Sequence, residues 1–200
     1  MRKLLRPANS EVEEAIRVLI LHMGDDPERE ELRDTPRRVR EALKELSEPH
    51  EFNMTTFDSH GYNDLVIVRN IPLYSLCEHH MSPWMGLCTI GYIPADSSSL
   101  LHDGKILGLS KLARTVNKHQ AGLTTQERVT HGVADEIMNA VQAEGVAVIS
   151  DAVHTCMTGR GVKAHGASTV ASCMLGSFRD QAPLRQEFLA LAGFNGKGVS

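Results

Sequence analysis

The spacing of hydrophobic residues near the N-terminus is typical of a helix. The apolar positions that follow this spacing are Val12, Ala15, Ile16, Leu19 and Ile20. Residues three and four apart lie on one face of a helix, so this stripe predicts an amphipathic helix. Ser10 is expected to cap it, with Glu13 at the third helical position. Gly24 and Pro27 end the pattern.

A second helix is predicted from the segment DTPRRVREALKEL. Thr35 is a suitable capping residue, and Pro36 suits the first turn because its missing N–H has no partner there. Both predicted helices carry much charge, which is also typical of a solvated amphipathic hairpin. We assign residues 1–50 to an N-terminal helical region.

After residue 54 the apolar positions occur in runs rather than at helical spacing. Such runs of β-branched and apolar residues predict strands at 65–68, 87–93, 145–150 and 168–173. Between the two pairs of strands, helices are predicted from the GLSK segment and from Gln126 to Val141, and a last helix covers PLRQEFLALAG. This order predicts an α+β fold for residues 51–200, with an antiparallel sheet and helices packed on one face.

Composition and charge narrow the classes of protein. The 200 residues are 42% hydrophobic and 23% charged, which is ordinary for a globular protein. The net charge of −4 argues against nucleic-acid binding through an overall basic surface. No apolar run reaches the length of a membrane span, and the N-terminus lacks the apolar core of a signal peptide. We therefore expect a cytoplasmic protein that binds neither membrane nor nucleic acid.

The stretch SLCEHHM crowds metal-binding side chains together. Cys77 and His80 are three residues apart and can chelate one ion from a turn. Downstream, His154 and Cys156 are two apart at the end of a predicted strand, where such residues project to the same side. Adding Cys156 gives two thiolates and one imidazole with a fourth position open, the pattern of a catalytic zinc site. The alternatives are a solvated turn around a buried thiol and a hydrogen-bonded strand histidine.

The remaining histidines and cysteines divide by their surroundings. His79 and His154 lie beside the expected metal, and the unperturbed pKa of a histidine is close to physiological pH, so both are candidates for proton transfer. Cys88 and Cys173 lie in small or apolar contexts and are expected to be packed thiols.

Several basic residues lie beside helix starts or glycines, where anions bind. They are Lys111 and Arg114 after the hydroxyl of Ser110, Arg160 between two glycines, and Arg37 and Arg38. Each alone is most often a solvated charge, but together with zinc they suggest a polyphosphate substrate. The P-loop pattern is absent. Glu127 either stabilises a helix start or accepts two hydrogen bonds from a planar edge such as that of guanine.

Taken together, these segments resemble the GTP cyclohydrolase I family. The matching stretches occur in family order from about Asp34 to Leu189: DTPRRV, TTF, YSLCEHHMSPWMG, YIP, GLSKLAR, QERVT, DAVHTCM, RGV and RQEFL. The resemblance implies a hydrolase that opens the imidazole ring of GTP at C8, releases formate and yields 7,8-dihydroneopterin triphosphate. It also implies the tunnelling fold, with subunits forming a β-barrel ring and two pentameric rings stacked as a decamer.

The resemblance also implies a role for each matching residue. Zn²⁺ would be bound by Cys77, His80 and Cys156. The acid–base pair would be His79 and His154. Guanine would be held by Glu127 with support from Gln126. The triphosphate would be bound by Ser110, Lys111, Arg114 and Arg160. Arg38 would reach the phosphates of a site in an adjacent subunit.

The chain departs from the family pattern in two segments, and other readings stay open. The connection that includes SSSLLHDG is longer than usual and is expected to lie on the surface, and NKHQAGLTT replaces an aromatic and arginine-rich segment. The alternatives are a related tunnelling-fold enzyme of deazapurine biosynthesis and a zinc-stabilised assembly protein without catalysis. The pathway that receives the product, whether folate, biopterin or deazapurine, stays open.

Overall fold

The computed structural model describes residues 6–95 and 104–194, which fall into two units, Met1–Glu48 and Pro49–Ser200. We had expected the boundary at residue 50. The helices are α1 (Asn9–His22), α2 (Thr35–Ser47), α3 (Leu109–His119), α4 (Gln126–Val141), α5 (Thr155–Thr158), α6 (Ser177–Asp180) and α7 (Ala182–Ala192). The strands are β1 (Thr56–Asp58), β2 (Val66–Cys77), β3 (Pro83–Ile93), β4 (Lys105–Leu107), β5 (Leu123–Thr124), β6 (Gly145–His154) and β7 (Thr169–Gly176).

The N-terminal unit is a pair of helices joined by a short ion pair. Arg40 Nε in α2 lies 2.8 Å from Glu13 Oε1 in α1. The predicted cap of α1 is wrong, because the helix begins before Ser10. The backbone N–H of Ala8 donates to the Glu11 carboxylate at 2.7 Å, so Glu11 rather than Glu13 closes the first turn.

The predicted cap of α2 is also displaced by one residue. The helix already begins at Thr35, with Asp34 at the capping position and Pro36 in the first turn. Neither the Asp34 carboxylate nor the Thr35 hydroxyl makes a capping hydrogen bond at this helix start. Asp34 instead accepts a hydrogen bond from the Arg38 guanidinium at 3.3 Å, so its carboxylate takes part in an ion pair rather than a cap.

The larger unit, Pro49–Ser200, is built on a five-stranded sheet in the order β5-β2-β3-β6-β7. Its four long strands pair antiparallel, and only the two-residue β5 runs parallel to its neighbour β2. Strands β1 and β4 form a separate small ribbon. The predicted α+β class with an antiparallel sheet is therefore confirmed.

The main core lies between the sheet and helices α3 and α4. The two helices contribute buried Leu112, Val116, Val129 and Val133, which pack with strand residues such as Trp84. A smaller cluster contains strand residues that are sequence neighbours of those in the main core, together with Phe178 and Phe188 of the C-terminal helices. Cys88 is buried in the main core, as expected, and Cys173 packs against it.

One glycine in β3 allows the C-terminal helix to approach the sheet closely. A Cβ on Gly91 would lie 2.7 Å from the ring of Phe188. Any larger side chain would therefore push α7 away from the strand.

The connection that we expected to lie on the surface falls largely outside the described residues. The longer connection includes residues 96–103, whose structure is not described, and the chain is described again just before β4. Among the described helices, none is long and apolar enough to cross a membrane.

Candidate metal centre and active site

The CEHH segment forms a tight turn between β2 and β3. Cys77 is the last residue of β2, and its backbone N–H donates to the Ser82 carbonyl at 2.8 Å. The Met81 N–H donates back to the Cys77 carbonyl, also at 2.8 Å, and Met81 has a left-handed φ of 53°. These bonds hold both ends of the turn, so the two histidines project from a defined backbone.

The second ligand segment reaches the site differently from our expectation. Strand β6 ends at His154, and Cys156 lies on the single helical turn α5. The alternation of side chains along a strand therefore does not apply to this pair. Instead, Thr155 Oγ1 donates to the Pro83 carbonyl at 2.6 Å and ties α5 to the start of β3.

Cys77, His80 and Cys156 are brought together as one candidate metal site. Their ligand atoms all lie within 4.8 Å of one another, and no other group of three such residues occurs within residues 6–95 and 104–194. Tetrahedral zinc with ordinary bond lengths needs ligand separations of about 3.6–3.8 Å. Closing the remaining gap takes no more than about 1 Å, which is within the reach of small side-chain rotations. The set therefore fits zinc. The described residues supply three ligands, so the fourth position is open to a ligand that is not part of the protein.

The protonation of Cys156 depends on this closeness. Burial raises its thiol pKa, and the neighbouring Cys77 raises it further, while the positive charge of Arg160 lowers it. Arg160 is thus electrostatically coupled to the metal site. A metal cation stabilises thiolates directly, so binding releases protons from these cysteines.

His154 is held by two contacts beside the metal ligands. Its Nε2 lies 2.8 Å from Gln126 Oε1, and its ring stacks on Trp84 with centroids 5.4 Å apart and planes 15° apart. Burial lowers the pKa of His154, and the nearby Glu127 carboxylate acts in the opposite direction. The burial effect is the larger, so the structure favours a neutral ring.

His79 is much more exposed. Its Nδ1 lies 3.8 Å from Cys77 Sγ, and its Nε2 lies 3.7 Å from the Glu78 carboxylate. Glu78 also accepts a hydrogen bond from Arg128 at 2.9 Å. The turn is thereby linked to the first turn of α4.

Glu127 lies at the start of α4 and faces a groove. The helix is capped by Thr125, whose hydroxyl accepts from the Arg128 N–H at 3.2 Å, so capping does not need the Glu127 side chain. The groove has a volume of about 490 Å³ and is lined by His119, Thr124, Glu127, Arg128, His131 and Gly132. An exposed carboxylate in a groove is available to a ligand.

The candidate phosphate-binding residues are only partly brought together. Ser110, Lys111 and Arg114 follow one another in the first two turns of α3, and Lys111 Nζ lies 5.8 Å above the Phe52 ring. Arg160 lies in a separate segment, close enough to influence Cys156.

Arg38 belongs to the other unit of the chain. It lies in α2 and pairs with Asp34. Its proposed reach into a site therefore stays a prediction.

A comparison with known protein families decides the relationship. The model of the family described as GTP cyclohydrolase I matches residues 12–193. The chain belongs to the GTP cyclohydrolase I family. The curated GTP cyclohydrolase 1 of Allorhizobium ampelinum is 41% identical over 93% of this chain and 92% of its own length. The enzyme of the same name from Gloeobacter violaceus is 44% identical over 89% of this chain and 82% of its own length.

Solved structures include more distant similarities. An archaeosine synthase QueF-Like is 15% identical, with a TM-score of 0.44 over 56% of this chain and 93% of its own. An E. coli dihydroneopterin aldolase is 17% identical, with a TM-score of 0.41 over 56% of this chain and 99% of its own. The antiparallel sheet of the chain agrees with the tunnelling fold that membership of the GTP cyclohydrolase I family implies.

The sequence analysis did not predict two features of the site, the stacking of Trp84 on His154 and the burial of Gln126. Trp84 pairs with His154 in the register of β3 and β6, and only that register reveals the stacking. Gln126, which we expected near guanine, is 1% exposed and bonded inside the protein. Trp84 lies before the strand predicted at 87–93, and no sequence signal identified its partner.

Proposed function

We propose that the chain hydrolyses GTP at C8, opens the imidazole ring, releases formate and yields 7,8-dihydroneopterin triphosphate. The observation that carries this proposal is the convergence of Cys77, His80 and Cys156 in a member of the GTP cyclohydrolase I family. This reaction is a first step towards tetrahydrofolate and other pterins. A cytoplasmic location is part of the proposal.

The resident metal is proposed to be zinc. Two thiolates and an imidazole are borderline-soft ligands, which suit Zn²⁺ better than the oxygen-seeking Mg²⁺ or Ca²⁺. Zinc held in this way supplies Lewis-acid activation of water near neutral pH. Cys77 is buried and His80 exposed, so the ligand set joins the core to an open side.

His154 and His79 are proposed to move protons around C8. Ring opening separates C8 from its neighbouring ring nitrogens, and each departing nitrogen needs a proton. His154 has a pKa lowered by burial, so it is neutral and able to accept a proton near pH 7. The more exposed His79 is proposed as its partner.

Guanine and triphosphate are proposed to bind on either side of this centre. Glu127 presents a carboxylate to the groove, which matches the adjacent N1–H and 2-amino donors of guanine. The triphosphate is assigned to Ser110, Lys111, Arg114 and Arg160. Support for this assignment comes from Arg114 and Arg160, which are both exposed and form no ion pair with any residue in 6–95 or 104–194.

Assembly into a homo-oligomer, most simply the family's decamer, is proposed to complete the site. Several large apolar side chains are exposed on neighbouring strands of the sheet: Tyr74, Met85, Leu87, Val153 and Val170. Tyr74 pairs with Met85, and Met85 with Val153, so the exposed residues are contiguous. A second copy that covers this surface would also allow Arg38 to serve an adjacent subunit's phosphates.

The experiment measures formate and the fluorescent pterin formed after oxidation when the zinc-loaded protein is incubated with GTP. Cys156→Ser is compared with Cys173→Ser, a half-buried cysteine outside the candidate site. We expect one zinc per subunit and formate release in the native and Cys173→Ser proteins, and loss of both in Cys156→Ser. Full zinc in Cys156→Ser would refute the ligand assignment. A zinc-loaded native protein that releases no formate would favour a purely structural metal.

A further inference from the structure

Gln126 sits at the centre of a buried polar network between α4 and β6. Its side-chain Nε2 lies 3.0 Å from the Ser150 carbonyl, 2.9 Å from the Thr169 carbonyl and 2.9 Å from Ser150 Oγ. Ser150 Oγ in turn lies 2.7 Å from Thr130 Oγ1, and the Thr130 hydroxyl donates to the Gln126 backbone carbonyl at 2.8 Å. Gln126 itself is 1% exposed.

These contacts determine which way the Gln126 amide faces. Backbone carbonyl oxygens only accept hydrogen bonds, so the atom that faces two of them must be the NH₂ group. The reversed amide would place its oxygen against two carbonyl oxygens at 3.0 Å or less. The amide oxygen Oε1 must therefore face His154, whose Nε2 lies 2.8 Å away.

The orientation of the amide decides that Nε2 of His154 carries a hydrogen. An amide oxygen only accepts, so Nε2 of His154 must carry the hydrogen that it donates. In a neutral imidazole the other nitrogen, Nδ1, then holds the lone pair. Stacking on Trp84 restrains the plane of the same ring.

We propose that Gln126 is a positioning residue that keeps a hydrogen on Nε2 of His154 and leaves Nδ1 as the nitrogen for proton exchange. This role differs from the guanine contact expected from the family resemblance. Both ends of the Gln126 amide are already used inside the protein, so a substrate contact would have to break buried hydrogen bonds. The inference rests on the proposed function for its catalytic meaning, but the tautomer itself does not depend on turnover.

The first test is neutron diffraction from crystals of the zinc-loaded native protein at pH 8. We expect deuterium on Nε2 of His154, directed at the Gln126 amide oxygen. An Nε2 without deuterium would overturn the assignment. Ser150→Ala removes the one acceptor of Gln126 Nε2 that is not a backbone carbonyl, so we expect the same tautomer there.

The second test separates positioning from substrate binding. Gln126→Met keeps the length of the side chain but removes both hydrogen-bonding groups. We expect kcat to fall by about 10- to 100-fold, as for other groups that orient an active-site histidine. KM for GTP should stay within about twofold, since no substrate contact is lost.

The alternative roles give different results. A raised KM with little change in kcat would show that Gln126 binds substrate and would overturn the proposal. Zinc should remain at one per subunit in Gln126→Met, and its loss would show that the residue acts on the metal site instead. Absence of ring opening in the native protein would refute the proposed function while the neutron result would still decide the tautomer.

Discussion

Replacing the single tryptophan tests how tightly the site is packed. Trp84 is fully buried, and within the described part of the chain its indole N–H has no hydrogen-bond partner. Trp84→Phe keeps an aromatic ring beside His154 and removes this N–H. A polar group buried without a partner destabilises a protein by about 1–3 kcal/mol, so its removal is favourable.

The opposing effect is the loss of volume. Replacing indole by phenyl leaves about 40 Å³, and at about 24 cal/mol per Å³ the cavity destabilises by about 1 kcal/mol. The apolar area lost, about 30 Å², adds about 0.8 kcal/mol at about 25 cal/mol per Å². The two sides nearly cancel, so we expect Trp84→Phe to change stability by no more than about 1 kcal/mol. Trp84→Ala, which loses the whole ring, should destabilise by about 3–5 kcal/mol.

A matched control lies in the same strand. The Tyr92 hydroxyl is buried and accepts a hydrogen bond from the Leu107 N–H at 2.9 Å. Tyr92→Phe also removes one polar atom from a buried ring, but it leaves that N–H unpaired. We therefore expect Tyr92→Phe to destabilise by about 1–3 kcal/mol. This is more than we expect for Trp84→Phe, although Trp84→Phe removes more atoms.

The assay is thermal unfolding of the zinc-loaded variants at equal subunit concentration, because association and metal binding both shift Tm. For a chain of this length 1 kcal/mol shifts Tm by about 2–4 °C. Trp84→Phe should stay within about 4 °C of the native protein. A loss of more than about 8 °C, with zinc content unchanged, would refute the reasoning and show that the indole N–H is satisfied.

Two further predictions concern the substrate site. Glu127→Gln should lower kcat/KM for GTP by about 10- to 150-fold through loss of a charge-assisted hydrogen bond, while exposed Glu187→Gln should not; equal turnover of ATP and GTP by the native protein would contradict this role. If Arg38 serves a neighbour's site, co-expressed Arg38→Ala and Cys156→Ser subunits should regain activity that neither has alone, and a matched mixture with Arg37→Ala should be at least as active. No recovery in confirmed mixed oligomers would place Arg38 in its own subunit's site.

The sequence by itself determined the local elements and the chemistry of the metal ligands. Helix α4 runs from Gln126 to Val141 as predicted, because apolar spacing and a capping threonine are properties of neighbouring residues. Cys77, His80 and Cys156 were recognisable because thiolates and imidazoles at chelating spacing have few other uses in such a polar segment. The antiparallel order of the strands followed from the pairing of adjacent segments.

The tertiary structure alone decided how those residues act together. Cys156 comes from a helical turn rather than a strand, because Thr155 ties that turn to Pro83, more than seventy residues earlier. Sequence position also did not separate Gln126 from Glu127, although one is buried against Ser150 and the other faces the groove. Burial and hydrogen-bond partners depend on which distant strands pair with each other. For that reason the ligand types were readable in the chain, whereas the orientation of His154 required the register of β3 and β6.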